Sequence, residues 1–244
     1  MTTVPYKRRN LGLDVIRSVA ILLVLLDHMR LYFIAGNSPG VWGVEVFFVL
    51  SGYLIGQIIL RTFQESFTFD KVKEFWIRRW FRTLPMYFAV LLVLDFILDK
   101  SGEFHWSYYL FLQNFNDSIG FFSVSWSLTI EEWFYLLLPL LFLIVRPHKA
   151  TRGQMLGFLG SVLVIITIAR AAYVLSADPN FDMGIRKFVP IRLDALMVGV
   201  LLAHVKLSFP DVHKKMARLP VFLGGMAVLA GVALYFYKYP GIVM

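Results

Sequence analysis

The chain has 244 residues, of which 58% are hydrophobic and 16% are charged, and its formal net charge is +8. Soluble domains carry about 25% charged residues, so this composition excludes an ordinary soluble protein and predicts a single integral-membrane domain, residues 1–244. The Lys and Arg residues lie in short loops between apolar runs, as in membrane proteins generally, and no nucleic-acid binding is expected. The chain has no cysteine, which excludes disulfides, thiolate metal sites and a cysteine nucleophile; no metal site is predicted.

The first apolar run, residues 11–33, is predicted to be a retained transmembrane helix rather than a signal peptide. Asp14, Arg17 and His28 interrupt its apolar core, and no small-residue cleavage site follows it. Because Arg17 and His28 are eleven residues apart, they share one helix face, separated by ~16 Å, and Asp14 joins that face. Ionisable groups inside a membrane span suggest function by default, so the sequence places its candidate chemistry on this helix.

Hydropathy predicts six further transmembrane helices, which makes an all-α polytopic bundle of about seven spans. The aromatic segment 105–115 is too short to cross the membrane comfortably and is predicted to be a short re-entrant or interfacial helix. The further spans are predicted at residues 41–60, 84–98, 126–145, 155–176, 188–205 and 219–237.

The loop charges predict that the N-terminus lies in the cytoplasm. With that orientation the inner segments carry the basic clusters of residues 7–9, 61–82, 146–152 and 206–218, whereas the outer segments carry only scattered Lys and Arg residues. If segment 105–115 crossed the membrane, the cluster at 146–152 would lie outside, which the same rule disfavours.

The predicted topology places several ionisable residues at one level, within ~10 Å of the outer face of the membrane. They come from five helices, and an acid, a base and cations at a common depth favour a shared site. The alternative is that charges this near the interface reach water by snorkelling, with Arg192 and Asp194 as a structural pair. The residues of this predicted layer are His28, Glu45, Glu131, Glu132, Arg170, Arg192 and Asp194.

A second group of charges lies on the cytoplasmic side, before the predicted third span. Arg79 and Arg82 are three residues apart and are expected to project from one side of a helix, where arginine suits phosphate oxygens. The alternative is that these residues, with Arg78, anchor the helix against anionic lipid headgroups. On this stretch alone, lipid anchoring is the simpler interpretation.

Four short segments of the chain carry recognisable patterns. Any one of them could arise by chance in a hydrophobic chain, but all four in this order could hardly do so. They are LDVIR at residues 13–17 with ten residues between Arg17 and His28, GVEVFFVLSGYLI at residues 43–55, Arg79-x-x-Arg82 with Pro85, and WSLTIEEWFY at residues 126–135 with Pro139.

Together these segments resemble the membrane-bound acyltransferase-3 family of bacterial sugar O-acyltransferases. Asp14, Ser51, Gly52 and Tyr135 are expected to be structural residues of the family pattern, and Ser51-Gly52 alternatively serves only to let two helices approach closely. The resemblance is clear over residues 11–139 and weaker in the residues that follow. Because family members usually have a longer chain with more spans, this chain is expected to lack the family's last helices.

The resemblance implies an O-acyltransferase of the bacterial cytoplasmic membrane that moves an acyl group, most simply acetyl, from acyl-CoA to a hydroxyl group of a cell-surface carbohydrate. Acyl-CoA is then a co-substrate, and no permanently bound cofactor is expected. The phosphates of the donor are expected on Arg78, Arg79 and Arg82, with the thioester reaching towards His28. The partners are therefore the donor, a carbohydrate acceptor and the lipid bilayer; the acceptor, the acyl chain length, the oligomeric state and the choice between direct transfer and an acyl-enzyme stay open.

The resemblance also suggests roles for single residues. His28 is the expected general base, since imidazole titrates near working pH. Glu45 or Glu131 is expected to orient that imidazole, with the choice between them open. Arg17 is expected to contact the donor or to pair with Asp14. Ser127 and Trp126 are candidate oxyanion donors, Asp194 is a candidate for substrate binding, and Glu132, His105, His148, His204 and His213 are interpreted as structural or solvated.

Two other functions remain open from the sequence. A transporter or channel would use the same charged layer as an ion or solute path, although no repeated halves or paired broken spans are visible. An inactive fragment or scaffold would keep the fold yet fail to bind acyl-CoA. Solute flux without acyl-CoA would favour the first alternative, and a lack of donor binding the second.

Overall fold

A computed structural model of the chain describes residues 11–29, 39–62, 68–98, 105–115, 119–145 and 150–216. Every regular element in these ranges is helical. The span predicted at residues 219–237 lies outside them. The helices are α1 (Leu11–His28), α2 (Pro39–Thr62), α3 (Phe69–Val93, continued by a π-helical turn at Leu94–Leu98), α4 (Trp106–Tyr109), α5 (Trp126–Val145), α6 (Arg152–Ala177), α7 (Asp194–Ser208) and α8 (Pro210–Met216).

Four of the described helical stretches are long and apolar enough to cross a membrane, and a fifth is added if the bent pair Val189–Ser208 and Pro210–Met216 is one span. The chain is therefore an all-α membrane protein with four to five candidate spans in its described residues, and the predicted count of seven is not established. Helix α1 has 18 residues but carries Asp14, Arg17 and Asp27, and it is not among the candidates. The four long stretches are Pro39–Thr62, Phe69–Ile97, Ser123–Ile144 and Arg152–Ala177.

Helices α2 and α7 pack with their backbones in close approach, at the centre of the main hydrophobic core. A Cβ atom on Gly52 would overlap the Leu196 carbonyl group, and one on Gly199 would overlap the backbone of Val49 and Tyr53. Small residues let membrane helices come this close, since packing rather than the hydrophobic effect holds helices together in lipid. The predicted role of Ser51-Gly52 in close helix approach therefore has a clear partner, the glycine of α7.

The chain between α3 and α5 turns back alongside α3 instead of staying at its end. The Tyr87 hydroxyl donates to the Tyr108 carbonyl at 2.9 Å, and the Tyr87 ring stacks on Phe111 with centroids 4.8 Å apart. Tyr87 lies ten residues before Ile97, about 15 Å along the helix axis. The aromatic segment that was expected to be re-entrant or interfacial thus forms a four-residue helix, α4, with irregular turns packed between α3 and α5.

A proline inside α5 explains one contact between α3 and α5. Pro139 has no N–H group, so the carbonyl four residues earlier, that of Tyr135, lacks its helical partner. The indole N–H of Trp76 donates to this carbonyl at 3.0 Å. A backbone group that a helix interior would leave unpaired is therefore satisfied by the neighbouring helix, which fixes the register of α3 against α5.

Candidate functional site

The first buried polar cluster, here called the Glu131 cluster, joins α2, α3 and α5. The Ser51 hydroxyl donates to Glu131 Oε1 at 2.9 Å, and the Tyr135 hydroxyl donates to Glu131 Oε2 at 2.8 Å. Arg79 Nη2 donates to the Tyr135 hydroxyl at 2.6 Å and lies 3.7 Å from Glu131 Oε2. The Arg79 guanidinium also lies over the Tyr135 ring, 4.2 Å from its centroid. Three of the four sequence segments thus meet in one ionic network between helices.

The three arginines expected to act together on α3 are placed differently. The Arg79 side chain is 20% exposed and points into the bundle, whereas that of Arg78 is 78% exposed and pairs with Glu74. Arg82 is exposed. Glu131 and Tyr135 thus hold the Arg79 guanidinium in the bundle, and a common role of the three arginines in binding phosphates stays a prediction.

The second polar cluster, here called the Glu45 cluster, joins α2, α6 and the start of α7. Arg192 pairs with Glu45 and, at 3.2 Å, with Asp194. Arg170 Nη2 lies 2.6 Å from the other oxygen of Asp194, and Arg170 also donates to the Ile191 carbonyl. Two carboxylates and two guanidinium groups alternate here, so the charge of the buried Arg192 and those of its partly exposed partners compensate one another.

The charged residues predicted to form a single layer thus lie at two different depths. Glu45 and Ser51 are six residues apart on α2, which separates the two clusters by about 9 Å along that helix. The prediction of one layer assumed that the helix ends on one side of the membrane all lie at the same depth. Glu131 lies about 8 Å from the start of α5, yet its partner Arg79 lies about 27 Å from Ile97 near the C-terminal end of α3. The start of α5 is therefore deep in the bundle, because the turns before it fill the space above.

His28 lies at the end of α1, beside the start of α2. Its ring is exposed within the described part of the chain, and Nδ1 lies 2.8 Å from the Val24 carbonyl oxygen. A carbonyl only accepts hydrogen bonds, so Nδ1 carries the proton, and in the neutral ring Nε2 is the nitrogen with the lone pair. Among the described contacts Glu45 bonds to Arg192 and Glu131 to Ser51 and Tyr135, so orientation of His28 by either carboxylate stays a prediction.

The remaining predicted site residues lie apart from these clusters. Arg17 is 3.5 Å from Asp14, which is the pairing that the sequence allowed as an alternative to donor contact. Ser127 is half-buried in the first turn of α5. Trp126, next to it, is buried, and the Arg186 guanidinium lies 4.7 Å from its ring. The oxyanion roles of Ser127 and Trp126 stay predictions.

Two buried amides beside α5 were not selected from the sequence. Gln113 donates to the hydroxyl groups of Ser125, at 3.3 Å, and Thr129. Asn114 donates to the carbonyl groups of Trp126, at 2.8 Å, and Lys187, at 2.9 Å. Both amides are 1% exposed. The signal available in the sequence was an amide pair inside an otherwise aromatic segment, which is costly in lipid unless each amide has partners.

Ion pairs of Asp182 with Arg186 and Lys187 stabilise the loop between α6 and α7. Burial alone would raise the pKa of Asp182, but hydrogen bonds and charge interactions with Lys187 and Arg186 outweigh it and lower that pKa. Lys187 is itself buried, and its carbonyl is the one that binds Asn114. This loop therefore joins the chain between α6 and α7 to the turns that precede α5.

Histidine 105, interpreted from the sequence as structural or solvated, takes part in a polar contact at the end of α3. His105 Nδ1 lies 2.7 Å from Asp95 Oδ1 in the π-helical turn. The His105 ring stacks on Phe121 with centroids 3.7 Å apart. The contact ties the start of the segment that turns back to the end of α3.

The fold and the two clusters define a class of protein, a helical membrane protein with compensated ion pairs buried between its spans. The acyltransferase-3 family, whose domain is described as an acyltransferase domain, matches residues 10–243. The chain belongs to the acyltransferase-3 family, and the resemblance drawn from the four segments is confirmed.

Named relatives point the same way. A Staphylococcus aureus (strain NCTC 8325 / PS 47) protein named O-acetyltransferase OatA is 29% identical over 244 residues, which cover 89% of this chain and 39% of the relative. A Staphylococcus aureus (strain COL) protein provisionally named as an O-acetyltransferase is 29% identical over 211 residues, 79% of this chain and 34% of the relative. The chain thus spans between a third and two-fifths of the length of these relatives. No solved structure matches the chain significantly.

Proposed function

We propose that this chain is the membrane-embedded catalytic part of an acyl-CoA-dependent O-acyltransferase, which transfers an acetyl group to a hydroxyl group of a cell-surface carbohydrate. The family and the names of the relatives support O-acetyl transfer. The observation that carries the proposal is the Glu131 cluster, in which segments from α2, α3 and α5 that match the family pattern meet on one buried carboxylate. Residues far apart in sequence are joined there around a group that lipid alone would not tolerate.

In this proposal His28 acts as the general base. The acceptor oxygen attacks the thioester carbonyl carbon, and His28 Nε2 takes the proton that leaves the acceptor hydroxyl. The tetrahedral intermediate then expels the coenzyme A sulfur, which receives that proton from the imidazolium, so the products are the acetyl ester and free coenzyme A. The hydrogen bond from Nδ1 to the Val24 carbonyl supports this role, since it fixes the tautomer with a basic Nε2.

The donor is proposed to enter from the cytoplasm, with the N-terminus of the chain on that side of the bacterial cytoplasmic membrane. The phosphates of acyl-CoA are assigned to Arg82 and Arg78, which are exposed on the half of α3 nearer its start. Arg79 holds Glu131 and Tyr135, so we give it a positioning role. Asp194 and Glu45 likewise act through the Glu45 cluster, by holding the start of α7 against α2.

The general-base assignment is tested by changing His28 to alanine in membranes supplied with radiolabelled acetyl-CoA. Label transfer to envelope carbohydrate is expected to fall by about a hundredfold or more, because proton transfer by a positioned base contributes at least that much. Binding of acetyl-CoA is expected to stay close to that of the parent. His213→Ala on α8 is the matched control and should transfer label normally. If His28→Ala transfers label as fast as the parent, His28 is not the base.

The donor assignment is tested with the double variant Arg78→Ala/Arg82→Ala. The dissociation constant of acetyl-CoA is expected to rise at least about tenfold, since each phosphate loses a charge-assisted hydrogen bond. Lys214→Ala/Lys215→Ala on α8 removes the same charge and should leave binding unchanged. Equal donor binding by the arginine variant and the parent would mean that Arg78 and Arg82 only anchor the helix to lipid headgroups.

A further inference from the structure

A groove of about 360 Å³ runs between α3 and α5, on a side of α3 away from its exposed arginines. Its walls are Trp80, Leu84 and Phe88 from α3 and Glu132, Trp133 and Leu136 from α5. Residues 109–111 close one end, and Leu110 on the rim is exposed. Apart from one carboxyl group the lining is almost wholly apolar and aromatic.

Glu132 is the exception in this groove. It is 6% exposed, and neither of its carboxyl oxygens makes a hydrogen bond of good geometry within the described residues. Its nearest polar neighbours are the Trp80 and Thr83 side chains, whose contacts with it are weak. The adjacent Glu131 belongs to the Glu131 cluster, where Ser51 and Tyr135 donate to its two oxygens. A buried carboxyl group with incomplete hydrogen bonding costs free energy that a hydrogen-bonding ligand would recover.

We propose that this groove binds the hydrocarbon chain of a neutral lipid whose terminal hydroxyl group hydrogen-bonds to Glu132. A hydroxyl group both donates and accepts, so it satisfies the carboxyl group in either protonation state. The apolar walls suit a chain, and a chain can enter sideways from the bilayer because the groove lies along two membrane-spanning helices. The groove offers no basic side chain, which disfavours a phosphate headgroup.

This lipid site is separate from the proposed donor site. Each residue turns a helix by about 100°, so Arg78 and Arg82, two positions either side of Trp80, point roughly 160° away from it around α3. A lipid in the groove therefore does not reach the exposed arginines. The inference does not rest on the proposed acyl transfer, and either proposal can fail alone.

The test uses the whole chain in nanodiscs of phosphatidylethanolamine and phosphatidylglycerol. Three probes share one diazirine-bearing alkyl chain and end in a hydroxyl, a methyl ether or an amine. After photolysis, mass spectrometry locates the adducts. The alcohol is expected to label the groove peptides at least about threefold more than the ether, since only the alcohol donates to Glu132.

Two pairs of variants separate the groove from general lipid contact. Leu136→Trp fills the groove and should remove most of the labelling, whereas Leu137→Trp, one residue on and exposed on the outside of α5, should not change it. Glu132→Leu should abolish the preference for the alcohol over the ether, and Glu132→Gln should only weaken it, because the amide accepts from the alcohol but also donates to the ether oxygen.

Three results would overturn the proposal. They are equal labelling by alcohol and ether in the parent chain, labelling spread over exposed helix faces with no effect of Leu136→Trp, and stronger labelling by the amine than by the alcohol. Should Glu132→Leu fail to fold, the alcohol and ether comparison in the parent and the pair of tryptophan variants still decide the question.

Discussion

The Tyr135 hydroxyl group links the Arg79 guanidinium to the Glu131 carboxylate. It accepts a hydrogen bond from Arg79 and donates one to Glu131, while Ser51 donates to the second oxygen of that carboxylate. Taking a charge out of water costs several kcal/mol, and only close pairing with further hydrogen bonds offsets that cost. Each member of the Glu131 cluster therefore depends on the others, so removing one partner should cost more than removing the pair.

A double-mutant cycle on Arg79 and Glu131 tests this dependence. Arg79→Met leaves the Glu131 carboxylate buried without an opposite charge, so the free energy of unfolding should fall by about 3–5 kcal/mol. Adding Glu131→Leu removes the unpaired charge and should recover much of that loss. Unfolding in mixed detergent micelles, followed by tryptophan fluorescence, measures both.

The neighbouring surface pair supplies the control for that cycle. Arg78→Met breaks the exposed contact with Glu74 and should change the free energy of unfolding by less than about 1 kcal/mol. If Arg79→Met is no more harmful than Arg78→Met, the network has little effect on stability.

Helix α3 begins much earlier than its predicted span. The predicted span began at residue 84, whereas the helix begins at Phe69. The first half of α3 carries charged residues on its surface, so a hydropathy window misses it although the helix is continuous. The predicted spans at 41–60, 126–145 and 155–176 match α2, α5 and α6 closely, because apolar residues predominate from one end of these helices to the other.

Substitution of the glycines between α2 and α7 tests whether stability depends on the close approach of these two helices. Gly52→Ala and Gly199→Ala each add a methyl group that overlaps backbone of the facing helix, so each should lower the midpoint of thermal unfolding markedly. Gly157→Ala on α6 is the matched control, since nothing lies within 4 Å of its added Cβ. Alanine is the better helix former, by about 1 kcal/mol, so this control should be neutral or stabilising. A normal midpoint for Gly52→Ala would mean that the two helices separate without cost.

Most members of the Glu131 cluster could be selected from the sequence, but their contacts with one another could not. Ser51, Arg79, Glu131 and Tyr135 were all selected, yet the pairing of Arg79 with Glu131 depends on how deep α5 begins. Residue counting along each span gives depth only if all spans start level, and the segment before α5 breaks that condition. Contacts such as Asn114 with Lys187 join residues far apart in sequence, so no local pattern predicts them.

The orientation of the chain is testable directly because the sequence has no cysteine to remove. With the N-terminus in the cytoplasm, a cysteine at Ser176, near the end of α6, should react with an impermeant maleimide added to intact cells. A cysteine at Lys214 on α8 should react only after the cells are opened. The opposite pattern would reverse the predicted topology and put the exposed arginines of α3 outside.

Because α5 begins deep in the bundle, the space beside its start is filled by residues 105–115 and 119–125. These residues form short turns held by individual side chains, as where the Trp133 indole donates to the Phe111 carbonyl. Such turns can be rebuilt by a few substitutions while every long helix keeps its place. If the chain transfers acyl groups as proposed, a change of acceptor would therefore need the fewest substitutions in this stretch.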